Sequence, residues 1–147
     1  MVIGIIGESC TGKSTLAEKL KSMLNAEVYT GKDYLRLAKN EVIAKKIFQK
    51  KLEEAISGTH IIYVISEREH LPLLPGKAYR VLVTADLDVI KGRFAQRMRG
   101  NLPAPVATML ERKHGCFDAE KCDIHVVSDR DDLDVVCAAI QNRGNSL

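Results

Sequence analysis

The sequence predicts an α/β protein in three layers, a five-stranded parallel sheet with helices on both faces. Three observations carry that expectation. Short apolar runs alternate with longer amphipathic ones along the chain. Their order is strand, helix, strand, helix, which demands parallel pairing through right-handed crossovers. The first apolar run ends in a glycine turn, "GESCTGKS", at a strand's carboxyl end, where such sheets collect ligands.

Each element has its own justification. "VIGII" (2–6) is a buried strand, and the glycine loop after it opens a helix from about Lys13 to Leu24. "AEVYT" (26–30) is the second strand. From Lys32 to Ser57 the pattern is helical, with Leu35, Ile43, Ile47, Leu52 and Ile56 near one face, and Ser57-Gly58 stops it. "HIIYVI" (60–65) and "YRVLVTA" (79–85) are further strands, separated by "EREHLPLLPG", whose two prolines indicate a loop. Asp86 is placed to cap a helix running toward Arg99. Residues 100–105 break that helix, and another spans Val106 to Lys113. "IHVV" (124–127) is the fifth strand, the capping residues of "SDRDDLD" open a last helix, and the tail "QNRGNSL" is expected to fray.

At 147 residues the chain is long enough for one domain, taken as 1–147, and too short for a second of any size. A net charge of +3 is too mild to imply nucleic-acid binding by itself. The lysine pairs at 45–46 and 50–51 lie beside Glu41, Glu53 and Glu54 on one helix, which describes a solvated face. No run approaches the ~20 apolar residues of a membrane helix, and "MVIGII" lacks the basic flank of a signal peptide. The four cysteines, at 10, 116, 122 and 137, follow no disulfide framework, and with no export signal read in the sequence a reducing cytoplasm is expected; the chain is also expected to be a monomer. His114, Cys116, Cys122 and His125 match no paired zinc-ligand spacing.

The chemistry sits in "IIGESCTGKSTLAEKL" (5–20). Gly7-x-x-x-x-Gly12-Lys13-Ser14 matches the phosphate-binding loop in full. Glycines let main-chain N–H groups turn inward around a phosphate, and the helix beginning near Lys13 aims its positive end at the same anion. The loop residues Gly7, Glu8, Ser9, Cys10, Thr11, Gly12, Lys13, Ser14 and Thr15 are therefore candidates for holding ATP. Lys13 is the side chain for the terminal phosphates and the Ser14 hydroxyl the ligand for Mg²⁺. Cys10 stands where many such loops carry glycine; it is either a tolerated variant or a thiol activated by the helix end.

Beyond the loop, the chain resembles the small P-loop kinases of nucleoside monophosphates, the adenylate and cytidylate kinase group. "TGKDYLR" (30–36) is similar to the T-G-D-M-L-R of adenylate kinases with one residue inserted. The resemblance implies that Thr30 and Arg36 hold an acceptor monophosphate, and an arginine fork suits that task physically. Asp33 is a further candidate: in shikimate-type relatives an acid here orients a hydroxyl acceptor, and it could instead position a Mg²⁺-bound water. "DLDVIKGRFAQRMRG" (86–100) resembles the helix that leads into the family's mobile lid, here placed at about 93–116. Arg93 and Arg97, four apart and so on one helix face, are implied to close over the triphosphate. Arg68 and Arg112 match positions where the family supplies further arginines. A Walker B aspartate is expected after "IIYVI", but Ser66 and Glu67 stand there. Either Glu67 or Asp33 assists Mg²⁺, or the metal relies on Ser14, phosphates and water.

These readings converge on a kinase that moves the γ-phosphoryl of Mg-ATP to a small acceptor, a nucleoside monophosphate first. The alternatives are a metabolite hydroxyl as acceptor, as in shikimate- or gluconate-type kinases, and a protein that binds ATP without turning it over.

Overall fold

Every residue of "VIGII" and "IIYVI" is buried, because these two segments run through the middle of a sheet covered on both faces. The computed structural model describes residues 1–145, with Asn145 described by its backbone alone. Among these residues, β1 (Val2–Ile6), β2 (Glu27–Thr30), β3 (Ile61–Ile65), β4 (Tyr79–Thr84) and β5 (Ile124–Val127) form one sheet in the order β2-β3-β1-β4-β5. All four pairings are parallel, with Ile5 beside both Val64 and Val81 and Thr84 beside Val127. The helices are α1 (Lys13–Leu24), α2 (Glu41–Ala55), α3 (Leu87–Arg97), α4 (Ala104–Lys113) and α5 (Leu133–Asn145). The predicted fold class is the observed one.

Strand alternation divides the core in two. Ile3 and Ile5 of β1 face Leu16, Leu20, Val136 and Ile140, the buried stripes of α1 and α5. Val2 and Ile6 face the opposite layer with Tyr29, Phe48, Tyr63 and Phe117. Gly4 shares that second face, where a Cβ would stand 2.5 Å from Leu74 Cδ1, so the glycine makes room for a leucine. A third, smaller cluster joins Cys10 and Ala85 to Ile90 of α3 and Leu110 of α4, seating that helical pair on the glycine loop.

The expected helix over 32–57 is two elements. A 3₁₀ turn (Asp33–Leu37) comes first, and α2 begins only after Asn40, whose Oδ1 accepts Val42 N at 2.9 Å and Ile43 N at 3.2 Å. The buried face also differs. Ala44, Phe48, Leu52 and Ala55 point inward, leaving Ile43 52% and Ile47 38% exposed. An aromatic cluster fixes this phase: Phe48 lies 4.8 Å from both Tyr29 and Tyr63 and stacks on Tyr34 at 5.5 Å. Burying three other rings around Phe48 outweighs covering two isoleucines.

Smaller corrections follow the same local rules. "EREHLPLLPG" contains a 3₁₀ turn (Arg68–Leu73). Asp86 occupies the position before α3 but makes no capping bond; its Oδ2 is 3.4 Å from Arg130 Nη2. α3 stops at Arg97, since Arg99 and Gly100 take left-handed backbone angles. α4 starts two residues earlier than expected, with Pro105 in its first turn, where a missing N–H costs nothing. α5 continues through Asn145, so fraying from 141 is not seen, and Ser146 and Leu147 lie outside the described residues. Among the described residues no helix is long and apolar enough to cross a membrane.

Candidate active site

The glycine loop leaves β1 under a steric constraint. A Cβ at Gly7 would stand 2.3 Å from the Val83 carbonyl oxygen of the neighbouring strand, so only glycine fits. Two left-handed residues then curl the chain, Cys10 at φ 64° and Gly12 at φ 98°. A non-glycine residue there costs about 1 kcal/mol. For Cys10 the side chain is 5% exposed and packs among Ala85, Ile90 and Leu110, which offsets that cost and buries the thiol. α1 opens at Lys13 with no capping side chain and no acid in its first turn. Its first amides and dipole are thus left for an anion.

Lys13 is 6% exposed, and its Nζ donates to the Glu8 carbonyl. Burial pulls its pKa down to about 8, and the positive charge of Arg97 pushes the same way. The Thr11 hydroxyl donates to the same carbonyl at 2.8 Å. The Glu8 carboxylate points elsewhere, accepting Gly115 N at 3.1 Å on Oε2 and meeting His114 Nδ1 at 3.2 Å on Oε1.

Two of the cavities that the loop lines also take in Arg97. The smaller, about 240 Å³, is lined by Ser9, Lys13, Ser14, Thr30, Ser66 and Arg97, among others. The larger, about 520 Å³, is lined by Gly12, Thr15, Arg93, Gln96, Arg97, Ser128 and Leu133, with Cys10. Arg97 lines both. Arg93 Nη1 donates to the Cys10 carbonyl and to the Ser128 hydroxyl, each at 3.1 Å. Around these two cavities the structure brings Ser9, Cys10, Gly12, Lys13, Ser14 and Thr15 together with Thr30, Arg93 and Arg97.

Other candidates are placed elsewhere. The Arg36 guanidinium lies 4.5 Å over the Tyr29 ring and lines neither cavity. Arg68 donates to the Cys116 carbonyl at 2.6 Å and pairs with Glu120 at 2.9 Å, fastening the segment after α4. Arg112 is exposed on α4. Asp33 Oδ2 accepts Thr30 N at 2.9 Å, and the Tyr63 hydroxyl donates to the Gly31 carbonyl at 2.8 Å, so together they fix the turn that presents Thr30. Glu67 faces Lys113 at 3.5 Å, leaving Ser66 as the residue that enters the cavity from the end of β3.

Sequence reasoning missed Ser128, Gln96 and Leu133. Ser128 directly follows β5, and the rule that ligands gather at strand ends was the available signal. The contact of the Glu8 carboxylate with residues 114 and 115 had no sequence signal at all.

The donor set suits Mg²⁺-bound phosphate. Oxygen ligands are the kind Mg²⁺ takes, and Ser14, Thr30 and Ser66 offer hydroxyls at one cavity. Among the described residues no carboxylate lines it, so a Mg²⁺ held there would draw its other ligands from phosphate and water oxygens.

Solved structures show the same architecture. An uncharacterized protein from Eubacterium ventriosum superposes with a TM-score of 0.71 at 19% identity, over 100% of this chain and 99% of that one. Shikimate kinase from Bacteroides thetaiotaomicron gives 0.62 at 13%, over 99% and 98%. Deoxyadenosine kinase from M. mycoides gives 0.56 at 16%, over 100% of both chains. These likenesses show the fold alone, a five-stranded parallel α/β sheet with helices on both faces. No family model matches the chain, and no curated protein matches it.

Proposed function

We propose that the protein is an ATP-dependent phosphotransferase that moves the γ-phosphoryl group of Mg-ATP to a nucleoside monophosphate. One observation carries this: Arg97 of α3 lines the same two cavities as the glycine loop, and Lys13 shares the smaller of them. Cationic groups from two separate elements thus face the place where a triphosphate's charge would lie. Such groups stabilise the negative charge that spreads as a phosphoryl group transfers.

The roles divide by position. Lys13, Arg93 and Arg97 balance charge, and the loop amides with the start of α1 orient the phosphates. Ser14 supplies an oxygen to Mg²⁺, whose chemistry here is to neutralise and align the phosphate oxygens. On the acceptor side Thr30 and Ser66 are in place. Arg36 and Arg68 reach an acceptor only by leaving Tyr29 and the 116–120 segment.

The nature of the acceptor follows from proton chemistry. A hydroxyl must lose a proton as it attacks, which a nearby carboxylate ordinarily accepts. A monophosphate oxygen is already ionised at neutral pH and needs no base. Among the described residues the cavity holds hydroxyls and cations but no acid, which favours the ionised acceptor. The hydroxyl reading keeps one support: Asp33 is one hydrogen bond from Thr30.

A panel of nucleoside monophosphates and metabolite alcohols incubated with Mg-ATP tests the proposal. ADP release stimulated by a monophosphate is expected. Stimulation by an alcohol alone would transfer the role to Asp33, and tight ATP binding with no stimulated turnover would mark a non-catalytic binder.

A further inference from the structure

Glu8 is engaged at both ends, and its two ends face different parts of the protein. Its carbonyl accepts the Lys13 ammonium and the Thr11 hydroxyl inside the phosphate loop. Its carboxylate, 10% exposed, brackets the turn that closes α4 through Gly115 N and His114 Nδ1. That turn is sharply defined: Gly115 has φ 82°, and a Cβ there would lie 3.0 Å from Asp118 Oδ2. Among the described residues no other hydrogen bond joins residues 7–12 to the 114–115 turn. At the other end of the helical pair, Arg93 bonds the Cys10 carbonyl two residues further along the same loop.

We propose that Glu8 is a positioning residue that couples phosphate occupancy of the loop to the position of the α3–α4 segment. The coupling presupposes the phosphotransfer proposed above. A phosphate entering the loop draws on the Lys13 ammonium, which now rests on the Glu8 main chain. Relaxing that contact changes the restraint on the Glu8 peptide while the carboxylate still holds residues 114 and 115. The displacement passes to α4, and from there to α3, which α4 meets through Leu110 against Ile90 and through the 2.6 Å Lys91–Glu111 ion pair. Arg93 and Arg97 ride on α3, so a loop that senses phosphate also adjusts the arginines that face it. A contiguous set of packed and hydrogen-bonded groups is the physical requirement for such coupling.

Hydrogen exchange with the non-hydrolysable analogue Mg-AMPPNP tests this apart from activity. In the wild-type protein, analogue binding is expected to slow exchange across residues 98–116. In Glu8→Ala, measured at an analogue concentration that saturates the variant, at least about four-fifths of that protection is expected to be lost. Glu8→Gln is expected to show an intermediate response, since its amide oxygen still accepts Gly115 N while an NH₂ replaces the carboxylate oxygen that meets His114 Nδ1. A lower melting temperature with the exchange response intact would make Glu8 merely structural and overturn the coupling. Should Glu8→Ala fail to fold, Glu8→Gln decides alone: a full wild-type response overturns the proposal. Failure of the wild-type protein to bind Mg-AMPPNP would instead overturn the nucleotide reading, which separates the two failures.

Discussion

The guanidinium of Arg93 bonds the main-chain carbonyl of Cys10 at 3.1 Å, across 83 residues of sequence. The same nitrogen reaches Ser128 at the end of β5, so one side chain joins the phosphate loop, α3 and the sheet's far edge. Arg93→Ala is expected to lower kcat by about a hundredfold, as losing one preorganised charge-stabilising donor does. Arg93→Lys should recover little, because an ammonium lacks the planar fork. Steady-state kinetics on both variants check this; wild-type kcat in Arg93→Ala would remove Arg93 from the site.

Lys13 gives a pH dependence with a definite sign. Its folded pKa is about 8 against 10.5 when unperturbed. The cost of burying its charge is therefore fully present below about pH 8 and is relieved as pH rises toward about 10.5, so this group makes the ligand-free fold more stable across that window. A bound phosphate favours the ammonium and raises the pKa again. Binding of Mg-ATP at about pH 9 should then take up close to one proton through Lys13, and almost none at about pH 7. Calorimetry in two buffers of different ionisation enthalpy measures the uptake, and Lys13→Ala should abolish the difference between the two pH values.

Gly7→Ala places a methyl group against the Val83 carbonyl, a rigid main-chain atom 2.3 Å from the ideal Cβ position. Relief requires β1 and β4 to part at the loop. A loss of about 3 kcal/mol, the upper range for overpacking, is expected in chemical denaturation. Unchanged stability would mean that the loop leaves β1 along a different path.

Arg68 separates a structural role from an acceptor role. It is bonded to Cys116 and Glu120, so Arg68→Ala should lower stability by less than about 1 kcal/mol, given its exposure. The acceptor KM should change less than about threefold. A tenfold or larger rise would show that Arg68 leaves those partners to hold the acceptor.

Much of this architecture was legible because it rests on local rules. The strands were marked by apolar runs, and the loop by an eight-residue pattern whose four fixed positions each have a physical duty. Arg93 and Arg97 could be paired from a spacing of four. What escaped was decided by tertiary competition. Phe48 set the phase of α2 through rings on β2, β3 and the 3₁₀ turn, which periodicity within one segment does not register. Arg36 and Arg68 carry the right chemistry in the right stretch, yet Tyr29 and the 116–120 segment claim them. Ser128 and Glu8 act on partners more than thirty residues away, at distances that no spacing rule spans.

The central claim is that the loop around Lys13 grips the phosphates of ATP. Isothermal titration of Mg-ATP into the folded protein and into folded Lys13→Ala tests it most directly. One saturable site in the wild-type protein, weakened at least about a hundredfold in the variant, is the expected result. No binding by the wild-type protein, or equal affinity in both, would contradict it.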